Sequence, residues 1–339
     1  EQWVEQTRLN LSQQLLDRQQ GMQLRGVEPE TGQLVHALGL VIEVAVALRV
    51  VNDGGIQVEA HVLDDAIDRG PGALEIRLKA PEATKVRLNF WSGPKVDMTK
   101  QTDGTWTVVT PPLVPGLHYY TLIVDGAEMS DTGSTAYFGG SKWASAVEVP
   151  SKTEDFYTIK AVPHGQVREV WYDSKVTGSV RHALVYTPPG YDEQPQTRYP
   201  VLYLQHGGGE DETGWVRQGR ANFILDNLIA AGRIPPTIAV LVDNQGVRDR
   251  DLVNYRPFAD FLAKELVPWV RAHYAVSKNP TDTIVAGSSF GGLCSAFVAF
   301  SHPAVFGNVL SQSGAFVASS GWQRQFELGY MNDGGELVA

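Results

Sequence analysis

The chain has 339 residues, of which 43% are hydrophobic, and its formal net charge is -10 at pH 7. That length is sufficient for two hydrophobic cores, because domains usually hold about 100 to 200 residues. The acidic balance and the lack of any run of Lys and Arg exclude a protein whose main partner is a nucleic-acid backbone.

The first 70 residues carry no motif to which chemistry can be assigned. Positions 1–20 place Trp3, Leu11 and Leu15 loosely on one helical face. The most apolar early stretch, residues 39–51, is interrupted by charged side chains and is shorter than the roughly 20 residues that a membrane-spanning helix needs. We expect residues 1–70 to form a helical or irregular extension of unknown role, and we expect no membrane partner.

Residues 71–151 have the pattern of an all-β domain. From residue 72 apolar residues alternate with polar ones through "ALEIRLKAPEATKVRLNF", and "GTWTVV", "GLHYYTLIVDG" and "AVEVPS" follow, separated by Gly, Pro and Asp turns. Short alternating runs between turn residues are typical of half-buried antiparallel strands. The pattern predicts an immunoglobulin-like β-sandwich.

The same region resembles the family-48 carbohydrate-binding modules through "RLKAPEATKVRL", "DGTWTV" and "GLHYYTLIVDG". The resemblance implies that Trp91, Trp106 or Tyr120 could stack on sugar rings. The alternative is that these aromatic side chains pack in the core of the sandwich, where aromatic residues are common for packing reasons alone.

Residues 152–339 are predicted to form a domain of the α/β class. Strand patterns such as "RHALVYTPPGY", "YPVLYLQ" and "TIAVLVDN" alternate with helical patterns such as "ANFILDNLIAAG" and "RPFADFLAKELVPWVRAHY". Such alternation indicates a mainly parallel sheet covered by helices on both faces. We expect an α/β domain with a mainly parallel sheet, preceded in the chain by the β-sandwich.

The stretch "TIVAGSSFGGLCSAF" contains G-x-S-x-G at Gly287, Ser289 and Gly291. An apolar β-branched run precedes the motif and small apolar residues at helical spacing follow it, so the order is strand, turn and helix. A nucleophilic serine on a strained turn needs this context, with glycines that keep Cβ atoms out of the corner. The motif predicts Ser289 as the nucleophile of an ester hydrolase.

Ester cleavage also requires hydrogen-bond donors for the oxyanion and a base for the serine proton. The backbone N–H of Phe290 is one predicted donor, and Gly207 or Gly208 in the "HGGG" loop should supply the second. We expect His206 in that loop to orient the turn. Ligands collect beyond the carboxyl ends of parallel strands, where residues 206–215, residues 243–250 and Ser289 should meet.

The base is the missing part of this arrangement. Of the eight histidines, His302 is the one that follows Ser289, and it stands at the end of the helix that begins there. In α/β hydrolases the histidine follows the serine in the chain. The later carboxylates Glu327, Asp333 and Glu336 carry no strong motif. We therefore expect a hydrolase fold that is incomplete at its C-terminus, with the catalytic histidine and acid beyond residue 339.

Residues 167–325 resemble the esterase-D superfamily of α/β hydrolases. "TPPGYDEQPQTRYPVLYLQHGGGEDETGW" with "DNLIAAGRIPP" is similar to the feruloyl esterases of carbohydrate esterase family 1. "ADFLAKELVPWVRAHYAV", "TIVAGSSFGGL" and "FGNVLSQSGAF" are similar to the same superfamily and to enterobactin-type esterases. The resemblance implies Ser289 as nucleophile and the same oxyanion donors. The predicted substrate-binding residues at this rim are His206, Asp211, Glu212, Trp215, Asp243 and Gln312.

These features favour a serine carboxylic-ester hydrolase that acts through an acyl-enzyme on a feruloyl, cinnamoyl or related ester of a plant polysaccharide such as xylan. An enterobactin-type siderophore esterase is the alternative, which a basic rim would favour because ferric catecholates are anionic. A catalytically inert carbohydrate-binding or scaffold protein is the third. The arginines that could form a basic rim are Arg217, Arg220, Arg248, Arg250 and Arg256.

The predicted partner is a small-molecule or polysaccharide-linked ester, and no cofactor is expected. No metal site is expected, because the histidines lack the short spacing to one another or to cysteine that zinc sites have. A single cysteine permits no internal disulfide, so cysteine content does not choose a compartment. A polysaccharide esterase would be secreted or periplasmic, and a siderophore esterase would be cytoplasmic.

Overall fold

The computed structural model describes residues 58–63, 73–91, 93, 95–151, 155–244 and 255–316. Most of the predicted extension 1–70 lies outside these residues, as do Glu327, Asp333 and Glu336. The predicted boundary between the two domains falls beside residues 152–154, which are also outside them, and stays a prediction.

Two antiparallel sheets occupy the first part of the described chain, which we call the two-sheet region. One sheet has the strand order β1-β2-β6-β5, and the other has the order β4-β3-β7-β10-β9 with β8 paired to β7. The strands are β1 Val58–Leu63, β2 Ala73–Lys79, β3 Val86–Phe90, β4 Lys95–Asp97, β5 Thr99–Lys100, β6 Thr105–Val109, β7 Gly116–Val124, β8 Ala127–Met129, β9 Ala136–Gly139 and β10 Lys142–Val149.

Both sheets contribute to one apolar core, which joins Leu74 and Ile76 of the first sheet to Leu88 and Leu122 of the second. Along β3 buried and half-buried residues alternate, as the period of two predicted. The strand pattern is therefore present, whereas the immunoglobulin-like topology and the likeness to a carbohydrate-binding module stay predictions.

Two of the three aromatic residues considered for sugar stacking belong to this core. Trp106 and Tyr120 are buried, and the Trp106 indole N–H donates to the carbonyl of Ala80 at 3.0 Å. Trp91 stacks on Tyr119 with a centroid distance of 4.4 Å. The packing interpretation therefore holds for Trp106 and Tyr120, because a buried ring offers no face to a sugar.

The second part of the described chain forms a six-stranded mixed sheet with the order β11-β12-β14-β13-β15-β16. β11 and β12 form an antiparallel hairpin at one edge, and β14, β13, β15 and β16 run parallel. The strands are β11 Gln166–Ser174, β12 Ser179–Thr187, β13 Val201–Gln205, β14 Ile238–Val242, β15 Thr283–Ser288 and β16 Asn308–Gln312.

Helices cover both faces of this sheet, as expected for an α/β protein. They are α1 Gly214–Arg217, α2 Ala221–Ala230, α3 Tyr255–Phe261, α4 Val267–His273 and α5 Phe290–Ser301. Every residue of β13 and β14 is buried, with one apolar cluster on each side of the sheet. This burial explains why the two strands have continuous apolar sequences without alternation.

A single π-helical turn, Leu262–Leu266, joins α3 to α4. Pro268 follows it, and a proline removes a backbone donor and clashes with the carbonyl four residues earlier. The distortion that Pro268 causes is thus accommodated by a wider turn within a continuous helical segment.

Candidate active site

Ser289 stands in the sharp turn between β15 and α5. Its backbone has φ 54° and ψ -118°, outside the conformations usual for a residue other than glycine. The residue is exposed, its N–H donates to the carbonyl of Gln312 at 3.0 Å, and its carbonyl accepts from the N–H groups of Leu293 and Ala315. The surrounding backbone therefore holds Ser289 in a strained conformation with its side chain open to solvent.

The two glycines of the motif leave no room for a side chain. A Cβ on Gly287 would lie 2.6 Å from the carbonyl carbon of Gly291 and 2.7 Å from the carbonyl oxygen of Gln205. A Cβ on Gly291 would lie 2.4 Å from the carbonyl oxygen of His206. The helix start therefore packs directly on the backbone at the end of β13, which only glycine permits.

The glycine loop after β13 lies against the serine. A Cβ built on Gly207 would be 3.5 Å from the Cβ of Ser289, and one built on Gly208 would be 2.6 Å from the ring of Phe290. The Gly207 N–H donates to the carboxylate of Glu210 at 3.0 Å. Of the two predicted glycine donors, Gly207 already donates its N–H to Glu210. Gly208 is therefore the better candidate to donate a hydrogen bond to an oxyanion.

His206 lies beneath this loop and not on its surface. The side chain is buried. Its Nδ1–H donates to the carbonyl of Gly207 at 2.8 Å, and its Nε2 accepts from the N–H of Asn244 at 3.2 Å. Burial lowers the pKa of His206, which favours the neutral ring that this pairing requires. The prediction that His206 contacts substrate is wrong, because no part of the side chain is accessible; its role in orienting the turn agrees with these bonds.

Trp215 is a second predicted substrate contact that the structure corrects. Its side chain is buried, and its indole N–H donates to the carbonyl of Gln205 at 3.0 Å. Asp211 is half-buried and accepts from the N–H and hydroxyl of Thr213 at the start of α1. Trp215 therefore supports the end of β13 from below, and Asp211 fixes the turn that precedes α1.

Glu212, Asp243 and Gln312 lie at the predicted edge of the sheet. Glu212 binds the Nδ1 of His182, and burial raises the pKa of this carboxyl. Asp243 follows β14 directly, and its carbonyl accepts from the guanidinium of Arg181. The Gln312 carbonyl accepts from Ser289, so β16 positions the turn. All three are partly accessible and stay candidates for substrate contact.

Contacts from the two-sheet region reach the glycine loop and the residue that follows α1. The sequence did not predict these contacts. The N–H of Ser141, in the turn between β9 and β10, donates to the carbonyl of Gly209 at 2.8 Å. The amide of Gln218 donates to the carbonyl of Phe138 at 2.9 Å. These partners lie far apart in the chain and carry no shared pattern, so no signal in the sequence could have paired them.

Of the five arginines of the expected basic rim, the structure describes the side chains of Arg217 and Arg220. Arg217 is exposed, whereas Arg220 is buried and forms an ion pair with Glu148 at 3.5 Å. Arg248 and Arg250 lie outside the described residues, and so does the side chain of Arg256. Arg220 is therefore unavailable to an anionic substrate, because its charge is already paired beneath the two-sheet region.

His302 closes α5 at the end opposite Ser289. The helix has 12 residues, which at about 1.5 Å per residue separates its ends by roughly 18 Å. The Nε2 of His302 lies 3.3 Å from the carboxylate of Asp260. This separation agrees with the expectation that His302 is not the base.

Two general findings bear on the class of site. Within the described ranges, no three His, Cys, Asp or Glu side chains are grouped so that they could hold a metal ion. In the same ranges, no helix has both the length and the apolar character needed to cross a membrane.

Part of the chain is similar to known esterases. Residues 174–332 match the family model described as "Putative esterase". Over 247 residues the chain is 37% identical to the endo-1,4-beta-xylanase/feruloyl esterase of Xylanibacter ruminicola, an alignment that covers 70% of this chain and 34% of that protein. Over 237 residues it is 25% identical to the iron(III) enterobactin esterase of Escherichia coli, with 69% of this chain and 57% of that protein covered.

The chain thus spans about a third to somewhat over half of the length of these two relatives. Among solved structures, the enterobactin esterase of Shigella flexneri has a TM-score of 0.62 at 19% identity, covering 83% of this chain and 80% of that one. At that identity the likeness concerns the fold, and it supports an α/β hydrolase-like architecture.

Proposed function

We propose that this chain is a serine carboxylic-ester hydrolase in which Ser289 is the nucleophile. The observation that carries the proposal is the position of an exposed serine at φ 54°, between β15 and α5, directly against the glycine loop after β13. A strained, exposed serine beside backbone donors is the arrangement that acyl transfer requires.

In the proposed reaction the Ser289 hydroxyl oxygen attacks the ester carbonyl carbon, and the carbonyl oxygen becomes an oxyanion. The backbone N–H groups of Phe290 and Gly208 donate to that oxyanion. The general base takes the Ser289 hydroxyl proton and gives it to the alcohol as the alcohol leaves. It then takes a proton from water, and the resulting attack on the acyl-serine releases the acid and returns the proton to Ser289. Loss of one oxyanion donor of this kind costs about 3 kcal/mol of transition-state stabilisation.

The general base is proposed to follow β16 in the chain, outside the described residues. His206 is close to Ser289 in the loop, but both of its ring nitrogens are engaged and it is buried. His302 lies at the far end of α5. The order of α/β hydrolases, with the histidine after the serine, supports this placement.

We propose a feruloyl, cinnamoyl or related aromatic acyl ester of a plant polysaccharide as the substrate. Its support is the 37% identity to a protein named xylanase/feruloyl esterase. A siderophore esterase is the second candidate, supported by the likeness in fold to enterobactin esterase. The pairing of Arg220 with Glu148 weakens that candidate, because it removes one cation from the rim. A secreted or periplasmic location belongs to the first candidate.

A fluorophosphonate probe tests the nucleophile, because it labels only an activated hydroxyl. We expect the full-length protein to be labelled at Ser289 and to hydrolyse methyl ferulate. Ser289→Ala should abolish labelling and lower kcat roughly 10⁴-fold or more. The control is Ser301→Ala, because Ser301 is exposed at the opposite end of α5.

The outcomes separate the candidates. Hydrolysis of enterobactin without hydrolysis of methyl ferulate would select the siderophore esterase. Absence of labelling in the unmodified protein would contradict the esterase proposal and favour an inert binding protein.

A further inference from the structure

The edge strand β11 presents an exposed tryptophan near the candidate active site. Trp171 is 60% exposed. Its side chain packs against His182: the ring centroids are 4.8 Å apart and the ring planes are tilted by 40°. The two residues stand opposite each other in the β11–β12 register. One side of the indole is therefore supported by the imidazole, and much of the ring remains open to solvent.

His182 is in turn held by two carboxylates. Its Nδ1 binds Glu212, and its Nε2 lies 2.9 Å from the carboxylate of Glu169. Glu169 is two residues before Trp171 on β11, so both side chains point to the same face of the sheet. The hydrogen bond to Glu212 orients the imidazole, and the imidazole packs against the indole of Trp171. The exposed ring therefore has a defined neighbour on one side.

Trp171 and His182 lie at the same edge of the sheet as Ser289. His182 immediately precedes Ala183, which pairs with Val242, and the row continues through Gln205 to Gly287. At the next level toward the carboxyl ends of the parallel strands stand the Trp171–His182 pair of β11 and β12, Asp243 directly after β14, and Ser288 at the end of β15. Glu212 also belongs to the segment that follows the glycine loop. The tryptophan and the serine therefore flank one surface.

Trp171 and Ser289 are separated along that surface by the length of several sugar units. β11 stands four positions from β15 in the sheet order, and at about 4.8 Å per strand this is roughly 19 Å. A ligand that contacts both Ser289 and Trp171 must be long. A small aromatic ester at Ser289 would not reach the indole.

The chemistry of the group fits a neutral sugar. A fixed, exposed aromatic face takes the apolar C–H face of a sugar ring, and ionised carboxylates accept hydrogen bonds from its hydroxyl groups. The Glu169 carboxylate is 57% exposed and is available for this purpose. The exposed Glu169 carboxylate disfavours an anionic ligand beside the ring, so its charge selects against phosphate or uronate groups.

We propose that Trp171, with Glu169 and the Glu212–His182 pair beside it, is a subsite for an uncharged sugar residue of the polysaccharide chain, several units away from the esterified sugar. The proposal rests on the proposed function, and it assigns to the hydrolase sheet itself the recognition of the polymer. The subsite raises the effective affinity for polymeric substrate without contacting the ester.

The test compares a polymeric and a small substrate on the full-length protein. For Trp171→Ala we expect kcat/KM on feruloylated arabinoxylan to fall roughly 3- to 10-fold, mostly through KM, since one aromatic contact is lost. Hydrolysis of methyl ferulate should change less than about 2-fold, because the ester site is untouched. Trp143→Ala is the matched control, because Trp143 is also exposed, at 54%, but lies in the two-sheet region.

Three results would overturn the subsite. They are an equal fall on both substrates, no change on the polymer, or a fall on the polymer for Trp143→Ala in place of Trp171→Ala. A concentration-dependent dimer that Trp171→Ala abolishes would also overturn it, since β11 would then be covered by a second copy of the chain.

A binding measurement separates this proposal from the esterase proposal. Unesterified xylo-oligosaccharide, titrated calorimetrically into the unmodified protein, should bind, and Trp171→Ala should weaken that binding by a similar factor. If methyl ferulate is not hydrolysed but the oligosaccharide binds through Trp171, the esterase proposal fails and the subsite stands. If methyl ferulate is hydrolysed and the oligosaccharide does not bind, the subsite fails alone.

Discussion

The glycine loop at residues 206–209 is held from two sides, and the two sides differ in kind. On one side the corner around Ser289 packs backbone on backbone, with Gly291 against the carbonyl of His206. On the other side the turn between β9 and β10 meets the last residue of the loop, Gly209, through a hydrogen bond from the Ser141 N–H and through the nearby backbone of Gly140. The corner is a contact within one sheet, whereas the turn belongs to the two-sheet region.

The difference suggests a division of roles. Close packing of backbones tolerates no added atom, so the corner should contribute mainly to the stability of the hydrolase sheet. The contact at Gly209 is smaller, and its hydrogen bond contributes less to stability but can still fix the position of the loop. We therefore expect changes at the corner to unfold the protein and changes at the turn to alter catalysis.

Gly291→Ala tests the corner and should have the largest effect. Alanine is normally favoured over glycine in a helix by about 1 kcal/mol. Here the new Cβ would lie 2.4 Å from the carbonyl oxygen of His206 and 2.6 Å from that of Gln205. We expect the free energy of unfolding to fall by about 3 kcal/mol or more, measured by denaturant titration.

The control for Gly291 is Gly214→Ala at the start of α1. The nearest atom to a Cβ on Gly214 is 4.0 Å away, so its stability should stay the same or rise by up to about 1 kcal/mol. If Gly291→Ala were as stable as Gly214→Ala, the close packing of the corner would be disproved.

Gly209→Ala tests the contact from the two-sheet region. A Cβ on Gly209 would lie 2.9 Å from the nitrogen of Ser141 and 3.1 Å from the Cα of Gly140, and its φ is 76°. We expect a loss of about 2 kcal/mol in stability. Because the loop also carries Gly208, kcat for methyl ferulate should fall with little change in KM.

Gly178→Ala separates backbone strain from contact at Gly209. Gly178 has φ 64°, and no atom lies within 4 Å of its Cβ position. The free energy of unfolding of Gly178→Ala should fall by only about 1 kcal/mol, because alanine is unfavourable at this φ, and kcat should not change. Equal effects in the two variants would mean that the turn does not position the glycine loop.

Gln218→Ala should have the smallest effect. Gln218 is buried and donates to the carbonyl of Phe138 in the two-sheet region. Its removal leaves that carbonyl without the donor, at a cost of about 1 to 2 kcal/mol in thermal unfolding. As a control, the amide of Gln101 donates to the hydroxyl of Thr107 at an exposed position. Gln101→Ala should cost less than about 0.5 kcal/mol; a loss as large as that of Gln218→Ala would show that burial of the bond is unimportant.

The predictions from sequence succeeded where the physical constraint is local. The turn at Ser289 was predicted because its glycines and the patterns on either side are contiguous in the chain. The parallel part of the six-stranded sheet was predicted from apolar runs that alternate with helical patterns. The list of substrate contacts was less accurate, since His206 and Trp215 are buried beneath the loop on which they were expected to project.

Gly207 shows that the sequence also does not predict the state of a single backbone donor. The residue lies in the glycine loop as expected, but its N–H donates to Glu210. No pattern in the sequence indicates whether a backbone donor is already engaged. The support of Trp171 by His182 and the pairing of Ser141 with Gly209 also escaped prediction. Each joins residues of different elements, whose approach depends on strand register or on the packing of one sheet system against another.

By itself, then, the sequence determined the order of strands and helices, the alternation of buried positions and the strained turn at Ser289, because side-chain period and glycine geometry act between residues that are neighbours in the chain. The tertiary structure alone decided which side chains of the site face solvent, which backbone donors remain for a substrate and which part of the two-sheet region meets the glycine loop. These properties depend on burial and hydrogen bonding between distant segments, and only the folded chain brings those segments together.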